Sequence, residues 1–283
     1  MNRQKQSIGL VADDICSLPA KLLEELQIEI IKTKLFFPEW KKNPEKNLYQ
    51  IMRETKAHPK TSAPSPGDYL KAYKKVLEKF KKVLVVTLTS ELSVTYSSAR
   101  QAKELMPDSS KIEIFDSLQA SIPEGLLALK AAELIKKGQN IEEITKTLEN
   151  LREKVKLFGF LETTYWVEKI GRMSHWQATA FKILKGLGVQ PMIGIKKGKV
   201  GLTGFNFWTK DVFKALFHQL KHQAKKSKIR VGINYTDNID LAYKLKEKVE
   251  KELGAEVSFI SLAPPIVGAN SGPGTLLAGC LLL

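Results

Sequence analysis

The chain has 283 residues and a mass of 31.8 kDa, with 43% hydrophobic residues, 27% charged residues and a net charge of +15. This composition excludes a disordered chain, and the length predicts one large domain or two medium ones. No apolar run reaches the roughly 18 residues of a membrane-spanning helix, and the short apolar stretch at 8–12 predicts no signal peptide.

The predicted elements of the first half alternate between strands and helices. Strands are predicted at 8–12, 28–37, 83–87 and 112–115, and helices at 19–26, near 47–56, and at 68–80, 93–105 and 123–137. Ser17 is the expected cap of the first helix, and five prolines between 38 and 67 predict a loop around the second. The alternation indicates an α/β fold with a mostly parallel, doubly wound sheet.

The second half predicts a mixed α/β layer. A helix at 140–156 would connect the two halves, followed by a strand at 157–161 and a helix to about 172. Strands at 189–195 and 200–207 flank the turn at 196–199 and predict a hairpin. The remaining predicted elements are a helix at 211–226, a strand at 229–235, a helix at 239–253 and a strand at 256–262.

The charge is unevenly distributed along the chain. Residues 151–283 carry 21 Lys and Arg against 10 Asp and Glu, a net +11, whereas residues 1–150 carry 24 against 20, a net +4. A basic half can bind nucleic acid, an anionic membrane surface or an acidic protein. The densest basic patch, at 221–230, has no interleaved aromatic residues, so nucleic acid is not the expected partner. Cys16 and Cys280 form neither a metal cluster nor a disulfide framework, and a cytoplasmic protein is expected.

Most enzyme signatures are missing from the sequence. It contains no P-loop, no dinucleotide-binding G-x-G-x-x-G, no H-E-x-x-H zinc motif and no G-x-S-x-G elbow. His218 and His222 have a spacing that can bind metal, but no cysteine or carboxylate cluster accompanies them, and we expect no metal site. Asp13 and Asp14 follow the first strand, where acidic side chains either line a pocket or form a surface turn.

Hydroxyl groups and glycines are concentrated in three loops. Residues 61–66 place three hydroxyls among prolines, residues 92–98 open a helix directly after a strand, and residues 270–274 form a glycine-rich turn expected to follow a strand. Hydroxyls and free N–H groups at a helix start suit an anion, and glycines let the backbone approach a ligand. Together the loops predict a site that binds a small anion through neutral hydrogen bonds.

In this order, the motifs resemble those of the DegV family of bacterial fatty-acid-binding proteins over nearly the whole chain. The opening strand and turn at 11–19 are similar, with the family's Asp at Asp13. In the first half, Thr61-Ser62 with Pro64 resembles the family's Thr-Ser-x-Pro loop, Ser93-Val-Thr-Tyr96 resembles its Ser-Gly-Thr-Tyr helix start, and Asp116-Ser117 resembles its Asp-Ser strand end. In the second half, Ile170-Gly-Arg172 resembles Gly-Gly-Arg, and Gln190-Pro-Met-Ile193 resembles a Lys-Pro-Ile-like strand. The last motif, Asn270-Ser-Gly-Pro-Gly274, resembles His-Thr-Gly-Pro-Gly. Each motif is weak alone, but seven in the right order are specific.

The resemblance implies two α/β domains, 1–155 with a mostly parallel sheet and 156–283 with a mixed sheet, and a ligand tunnel between them. It implies a carrier rather than an enzyme, with no cofactor, that sequesters one long-chain fatty acid. The tail would lie in the apolar tunnel and the carboxylate would be hydrogen-bonded at the domain junction. The implied carboxylate-binding residues are Thr61, Ser62, Ser93, Thr95, Arg172, Asn270, Ser271 and Gly272, with Ser62 and Ser93 as the primary donors.

The resemblance also implies partners. The bound acid would be presented to a separate ATP-dependent fatty-acid kinase, which converts the carboxylate to an acyl phosphate. The basic second half, and especially the lysines between 210 and 230, would help the protein touch an anionic membrane surface or an acidic kinase surface.

Three positions depart from the family pattern. Asn270 replaces a His, Val94 replaces a Gly, and Ile170 replaces the first Gly of Gly-Gly-Arg. These changes alter the shape of the predicted pocket and the groups that face its ligand. Two other functions stay open: an enzyme that uses Asp13, Ser93 and Arg172 on a small anionic substrate, and a basic nucleic-acid-binding module.

Overall fold

The computed structural model describes residues 6–207 and 211–283. In the first half the strands are β1 Gln6–Asp13, β2 Ile28–Ile31, β3 Lys34–Phe36, β4 Lys60–Ser62, β5 Phe80–Thr87 and β6 Ile112–Asp116. The helices there are α1 Ala20–Glu25, α2 Pro38–Lys42, α3 Leu48–Thr55, α4 Pro66–Leu77, α5 Thr95–Glu104, α6 Ile122–Lys136 and α7 Ile141–Arg152. The second half contains β7 Val155–Phe160, α8 Tyr165–Lys169, α9 His175–Gly186, β8 Gln190–Lys196, β9 Lys199–Asn206, α10 Val212–Ala224, β10 Ile229–Tyr235, α11 Ile239–Leu253, β11 Glu256–Leu262, α12 Pro265–Ser271 and β12 Leu276–Leu282.

The first sheet is parallel and covered on both faces, as predicted. Its order is β2-β1-β5-β6, with Val11 opposite Val85 and Val85 opposite Ile114. Alternate residues of each strand face opposite layers, so Leu84 joins the core under α6 while Val85 joins the core under α4 and α5. The carboxyl ends of β1, β5 and β6 therefore meet at one edge, where an α/β sheet commonly forms its site.

The second sheet is mixed, also as predicted. Its order is β11-β10-β12-β7-β8-β9; β10 and β11 run parallel, and the other pairs are antiparallel. The predicted hairpin is confirmed as β8 and β9. The central strand β12 was not predicted, because its wholly apolar sequence has no alternation that distinguishes a strand from other buried segments.

Helix α6 is buried between the two sheets. It is apolar on nearly every side, which is the pattern of a helix without a solvent-exposed face. Its Ile122 packs against Gly232 of β10 and Gly279 of β12, where an added Cβ would lie 2.7 and 2.6 Å from the Ile122 Cγ2 atom. The glycines therefore allow α6 to approach the second sheet closely while its other face covers the first.

Several sequence predictions are wrong in detail. Ser17 does not cap α1; it ends a short 3-10 helix with a positive φ of 60°, and Pro19 precedes α1 instead. The predicted strand at 28–37 divides, because β3 leaves the first sheet and pairs with β4. Helices α9 and α12 were not predicted, and the glycine-rich turn at 270–274 consequently follows helix α12 rather than a strand.

The sheets change between β6 and β7, with α6 and α7 as the connection. The domain boundary at 155 stays a prediction. Within the described ranges, none of the helices is both long and apolar enough to cross a membrane. Lys210, one of the lysines assigned above to partner contact, lies outside the described residues.

Candidate ligand-binding site

A cavity of about 620 Å³ lies between the two sheets. Most of its wall is apolar, and the apolar side chains come from both halves of the chain. They include Ile15, Leu88, Leu92, Val94, Leu157, Val167, Ile170, Ile193, Ile195, Val200, Ile266, Val267 and Leu277. A volume of this size and lining is typical of a small-molecule site.

Residues 34–62 form a strap, and its last part, residues 58–62, lines one side of this cavity. Within it, β3 and β4 pair in antiparallel register, with Leu35 opposite Thr61 and Lys34 opposite Ser62. Thr61 and Ser62 are exposed and line the cavity, so their hydroxyls are available at its mouth.

Ser93 and Thr95 form a hydroxyl pair at the start of α5. Their oxygens are 2.7 Å apart, and the backbone N–H of Thr95 donates to the Ser93 Oγ at 3.2 Å. Thr95 is fully buried and does not line the cavity, whereas Ser93 does. If the Thr95 hydroxyl donates to Ser93, the Ser93 oxygen accepts two hydrogen bonds and its own proton is free for a ligand.

The end of α12 supplies two further polar atoms. Asn270 Oδ1 and Ser271 Oγ are buried without a hydrogen-bond partner among the described residues, and both residues line the cavity. Buried polar atoms without partners cost free energy that a hydrogen-bonding ligand would recover. The structure thus brings polar atoms from loops 61–62, 93 and 270–271 to one cavity.

Gly272 has a different role from its predicted one. It does not line the cavity; it packs against the Trp166 ring with a φ of 87°, and an added Cβ would collide with the Trp166 Cδ1. Its backbone conformation and the close ring both require glycine. Gly272 therefore fixes the turn that carries Asn270 and Ser271.

Arg172 lies on the rim of the cavity. Its backbone N–H donates to the Val167 carbonyl at 3.2 Å, and its side chain is exposed. Across the described residues, no carboxylate lies within ion-pair distance of its guanidinium. The predicted binding residues thus divide into six that line the cavity and two, Thr95 and Gly272, that support them; their binding role stays a prediction.

Asp13 does not face the cavity. It is fully buried, and its carboxylate accepts the N–H groups of Leu88 at 2.8 Å and Ile15 at 3.1 Å. Burial raises the pKa of Asp13 to about 6. Asp14 is held by Thr33, whose backbone N–H donates at 3.1 Å and whose hydroxyl donates at 2.9 Å. Both acids therefore support the loops around the site instead of reaching a substrate.

His218 and His222, whose spacing drew attention in the sequence, both lie on α10. His218 Nδ1 lies 3.2 Å from the amide nitrogen of Asn206. In the two described stretches of chain, no three His, Cys, Asp or Glu side chains are grouped so as to hold a metal ion.

Sequence reasoning missed four polar residues of the cavity wall, Thr33, His58, Lys60 and Ser121. His58 precedes β4 and lines the cavity together with the hydroxyl loop. Ser121 also lines it and has a positive φ of 59°, with its hydroxyl donating to Asn234 Oδ1 at 3.0 Å and lying 3.2 Å from the Ser17 hydroxyl. The position of His58 three residues before Thr61 was a usable signal, but the contact of Ser121 with the second sheet has no local signature.

Comparison with known proteins gives a consistent result. The family model described as "Uncharacterised protein, DegV family" matches residues 7–280. The chain is 28% identical over 287 residues to a fatty acid-binding protein of Thermotoga maritima, covering 98% of each sequence, and 27% identical to protein DegV of Bacillus subtilis, covering 95% of this chain and 97% of that one. A solved DegV family protein from Thermus thermophilus, described for its fatty acid binding, superposes with a TM-score of 0.84 at 26% identity, covering 98% of this chain and all of that one.

Proposed function

The chain belongs to the DegV family, and from this premise we propose that it is a carrier that binds one long-chain fatty acid. The observation that carries this proposal is the cavity between the two sheets, in which an apolar wall adjoins the hydroxyls of Thr61, Ser62, Ser93 and Ser271 and the side-chain amide of Asn270, whose N–H groups can donate to a carboxylate. An alkyl tail gains about 0.8 kcal/mol for each buried CH₂, while a carboxylate requires hydrogen-bond donors when it leaves water.

The apolar wall favours a carrier over the alternative of an enzyme for a small anion. An enzyme that used Asp13, Ser93 and Arg172 would need the Asp13 carboxylate at the ligand, and Asp13 is enclosed behind the loops that carry Ile15 and Leu88. The cavity wall contains no carboxylate side chain at all among the described residues. A small polar substrate would also leave most of this apolar surface in contact with water.

Native mass spectrometry of the purified protein tests the fatty-acid proposal directly. We expect an adduct of one fatty-acid mass that disappears on denaturation and is recovered in a lipid extract. Replacing Ser93 and Ser62 by Ala should lower its occupancy, because both hydroxyls face the cavity. Replacing the distant surface residue Ser110 by Ala is the matched control. A protein that carries no lipid and takes up no added fatty acid would contradict the proposal.

We also propose that the protein presents its bound fatty acid to a separate ATP-dependent kinase in the cytoplasm. The support for this partner is that Thr61, Ser62 and Arg172 are exposed, so a carboxylate bound beside them would lie at the open end of the cavity. Loaded protein, ATP and a candidate kinase should form an acyl phosphate that hydroxylamine traps as a hydroxamate. Failure of the loaded protein to support any such product would count against the kinase partner while leaving binding intact.

An anionic membrane surface is the other proposed partner. Helix α9 supports it, because Trp176 and Ile183 are 69% and 58% exposed on one side of the helix and Leu187, 75% exposed, follows at its end. The chain from 169 to 199 holds seven Lys and Arg and no acidic residue, although Lys182 and Lys199 are paired with Glu168 and Glu91. Exposed apolar side chains with a basic surround are typical of helices that lie on anionic bilayers.

Vesicle flotation tests the membrane partner. Binding to phosphatidylglycerol-containing vesicles should exceed binding to phosphatidylcholine vesicles, and the double change Trp176→Ser with Ile183→Ser should reduce it. Leu105→Ser is the control, since Leu105 is similarly exposed at the end of α5 in the other half of the chain. Equal flotation of the unchanged protein, the double variant and Leu105→Ser would contradict the proposed membrane partner.

A further inference from the structure

Three ionisable side chains line the described cavity: His58, Lys60 and Arg172. The lysine and the arginine are exposed, but His58 is partly buried and its Nε2 atom is buried without a hydrogen-bond partner among the described residues. A buried polar atom in a cavity wall is unfavourable until a ligand provides a partner. His58 Nε2 is therefore a nitrogen of an ionisable side chain in this wall that lacks a partner within the described chain, while backbone groups of Pro59 and Trp166 lie close enough to the ring to accept from it when it is protonated.

The surroundings of His58 place it at the polar end of the cavity. It directly precedes the segment that carries Thr61 and Ser62. Its ring lies on Trp166, with centroids 5.8 Å apart and planes at 36°. Gly272 packs against the same indole. His58 and the turn that follows Asn270 and Ser271 thus meet across one aromatic ring.

We propose that His58 is a carboxylate-binding residue of this cavity, which takes up one proton and donates a hydrogen bond from Nε2 when a fatty-acid anion binds. This inference rests on the proposed function. The step is a protonation only: the imidazole gains a proton from solvent, the carboxylate stays ionised, and no other bond forms or breaks. The resulting imidazolium–carboxylate hydrogen bond is charge-assisted.

The charges around His58 explain why an anion is needed. Lys169 on α8, Arg172 on the following turn and Lys60 on β4 are cations, and residues 263–276, which contain α12 and its turn, carry no charged side chain. Burial, with a smaller contribution from Lys169, lowers the pKa of His58 in the absence of a ligand. A bound carboxylate has the opposite effect on the imidazolium, so proton uptake accompanies binding.

The pH dependence follows from this linkage. Because the pKa of His58 is higher in the complex than in the free protein, the anion binds more tightly as the pH falls from above both pKa values towards the lower one. Replacing His58 should therefore remove this gain in affinity for the anion at lower pH. A hydrogen bond to a charged group corresponds to a change in affinity of about tenfold or more.

The experiment uses the full-length protein stripped of lipid, sodium laurate as the anionic probe and dodecanol as its neutral counterpart. Histidine ring resonances are followed by NMR from pH 5 to pH 8.5, and His58→Gln identifies the His58 signal among the four histidines. Laurate should raise the pKa of His58, and dodecanol should not. Isothermal titration should show about tenfold weaker laurate binding for His58→Gln at pH 6 and a smaller loss at pH 8.

His175→Gln is the matched control, because the side chain of His175 is 93% exposed at the start of α9. It should bind laurate like the unchanged protein at both pH values. If His58→Gln does not fold, the NMR titration of the unchanged protein with His58→Asn as the assignment variant decides the question. Stoichiometric laurate binding with no change in the pKa of His58 would overturn this inference and leave the carrier function standing. No laurate binding by the unchanged protein would overturn both.

Discussion

At the scale of single residues, the two hydroxyls of Ser93 and Thr95 have different roles: Ser93 can bind the ligand, and Thr95 positions Ser93. Ser93 faces the cavity, whereas Thr95 is buried behind it at 2.7 Å. Thr95 can act on a ligand only by fixing the orientation of the Ser93 hydroxyl and its proton.

Thr95→Val should therefore weaken fatty-acid binding by about fivefold, the value of one ordinary hydrogen bond, while Thr95→Ser should keep full affinity. Competition with a fluorescent fatty acid measures both. The near-equal volume of Val keeps the packing at the start of α5 intact, so thermal unfolding should change little in comparison with affinity. Equal affinities of the Val and Ser variants would show that Thr95 does not orient Ser93.

A second residue-scale feature is the buried acid pair behind the site. Glu124 on the first turn of α6 is fully buried, and its carboxyl group lies close enough to that of Asp13 for a hydrogen bond when one of the two is protonated. Burial and the nearby Asp13 raise the pKa of Glu124 well above its ordinary value, and burial raises that of Asp13 to about 6. Asp14 and, for Glu124, Asp116 add further like charge.

The free energy of unfolding should accordingly fall as the pH rises. Both groups hold protons more tightly in the folded protein, so their stabilising contribution is present below the unfolded pKa values and is lost as the pH passes through the folded ones. For Asp13 this window runs from about pH 4 to about pH 6, and for Glu124 it extends higher. Glu124→Gln should flatten the decline between pH 5 and pH 8 in urea unfolding. Glu142→Gln, on the exposed side of α7, should leave it unchanged.

At the scale of elements, α3 holds the strap against the second half through one arginine. Arg53 donates to both carboxylate oxygens of Glu162, at 3.0 and 2.9 Å, and to Asp237 at 2.8 Å. Asp237 in turn accepts the N–H of Gly274 at 2.9 Å. The ion triad therefore connects the strap with the chain that follows β7 and with the chain that follows β10, a geometry that a single lysine charge cannot reproduce.

Arg53→Met should lower the free energy of unfolding by about 1 kcal/mol at low salt, with a smaller difference in 1 M NaCl, because half-exposed ion pairs are screened. Lys75→Met is the control: Lys75 makes a pair with Glu29 at 2.7 Å, but within the first half only. The Arg53 variant alone should also release bound fatty acid faster. Equal release rates for the two variants would mean that the triad does not hold the strap closed.

At the scale of the whole molecule, α6 joins the two sheets into one structure. Its first turn packs on Gly232 and Gly279 of the second sheet, and its opposite side covers the first sheet. Ser121, just before the helix, adds the hydrogen bond to Asn234 that connects the halves beside the cavity. Ala120 and Ser121, directly before α6, and Leu277 of β12 line the cavity, so the distance between α6 and β12 affects its width.

Gly279→Ala tests this dependence, because its Cβ would lie 2.6 Å from the Ile122 Cγ2. We expect a loss of about 1–3 kcal/mol in the free energy of unfolding, as for other overpacked core sites, together with weaker fatty-acid binding. In a double-mutant cycle with Ile122→Ala, which removes the Cγ2 atom, the two losses should be less than additive. Gly186→Ala at the end of α9, where nothing lies within 4 Å of the new Cβ, should cost nothing. Additive losses in the double variant would contradict the assigned contact.

The sequence predicted best those elements whose signals are local. Strand β10, helix α11 and strand β11 were predicted at their observed bounds, because alternation, caps and charge spacing are contained within each segment. Six of the eight predicted site residues also line one cavity, since their motifs lie where strands and helices begin or end around it. What the motifs could not show was which members face the ligand and which, like Thr95 and Gly272, support them.

The amino-acid sequence by itself thus determined the fold class, most elements and the loops that meet at the site. Tertiary structure alone decided that β12 lies in the middle of the second sheet, that β3 leaves the first sheet to pair with β4, and that His58 meets the turn after Asn270 across Trp166. The physical reason is the range of the interactions. Periodicity and capping act over a few neighbouring residues, whereas strand pairing and side-chain burial join residues that lie far apart along the chain, whose contacts exist only in the folded protein.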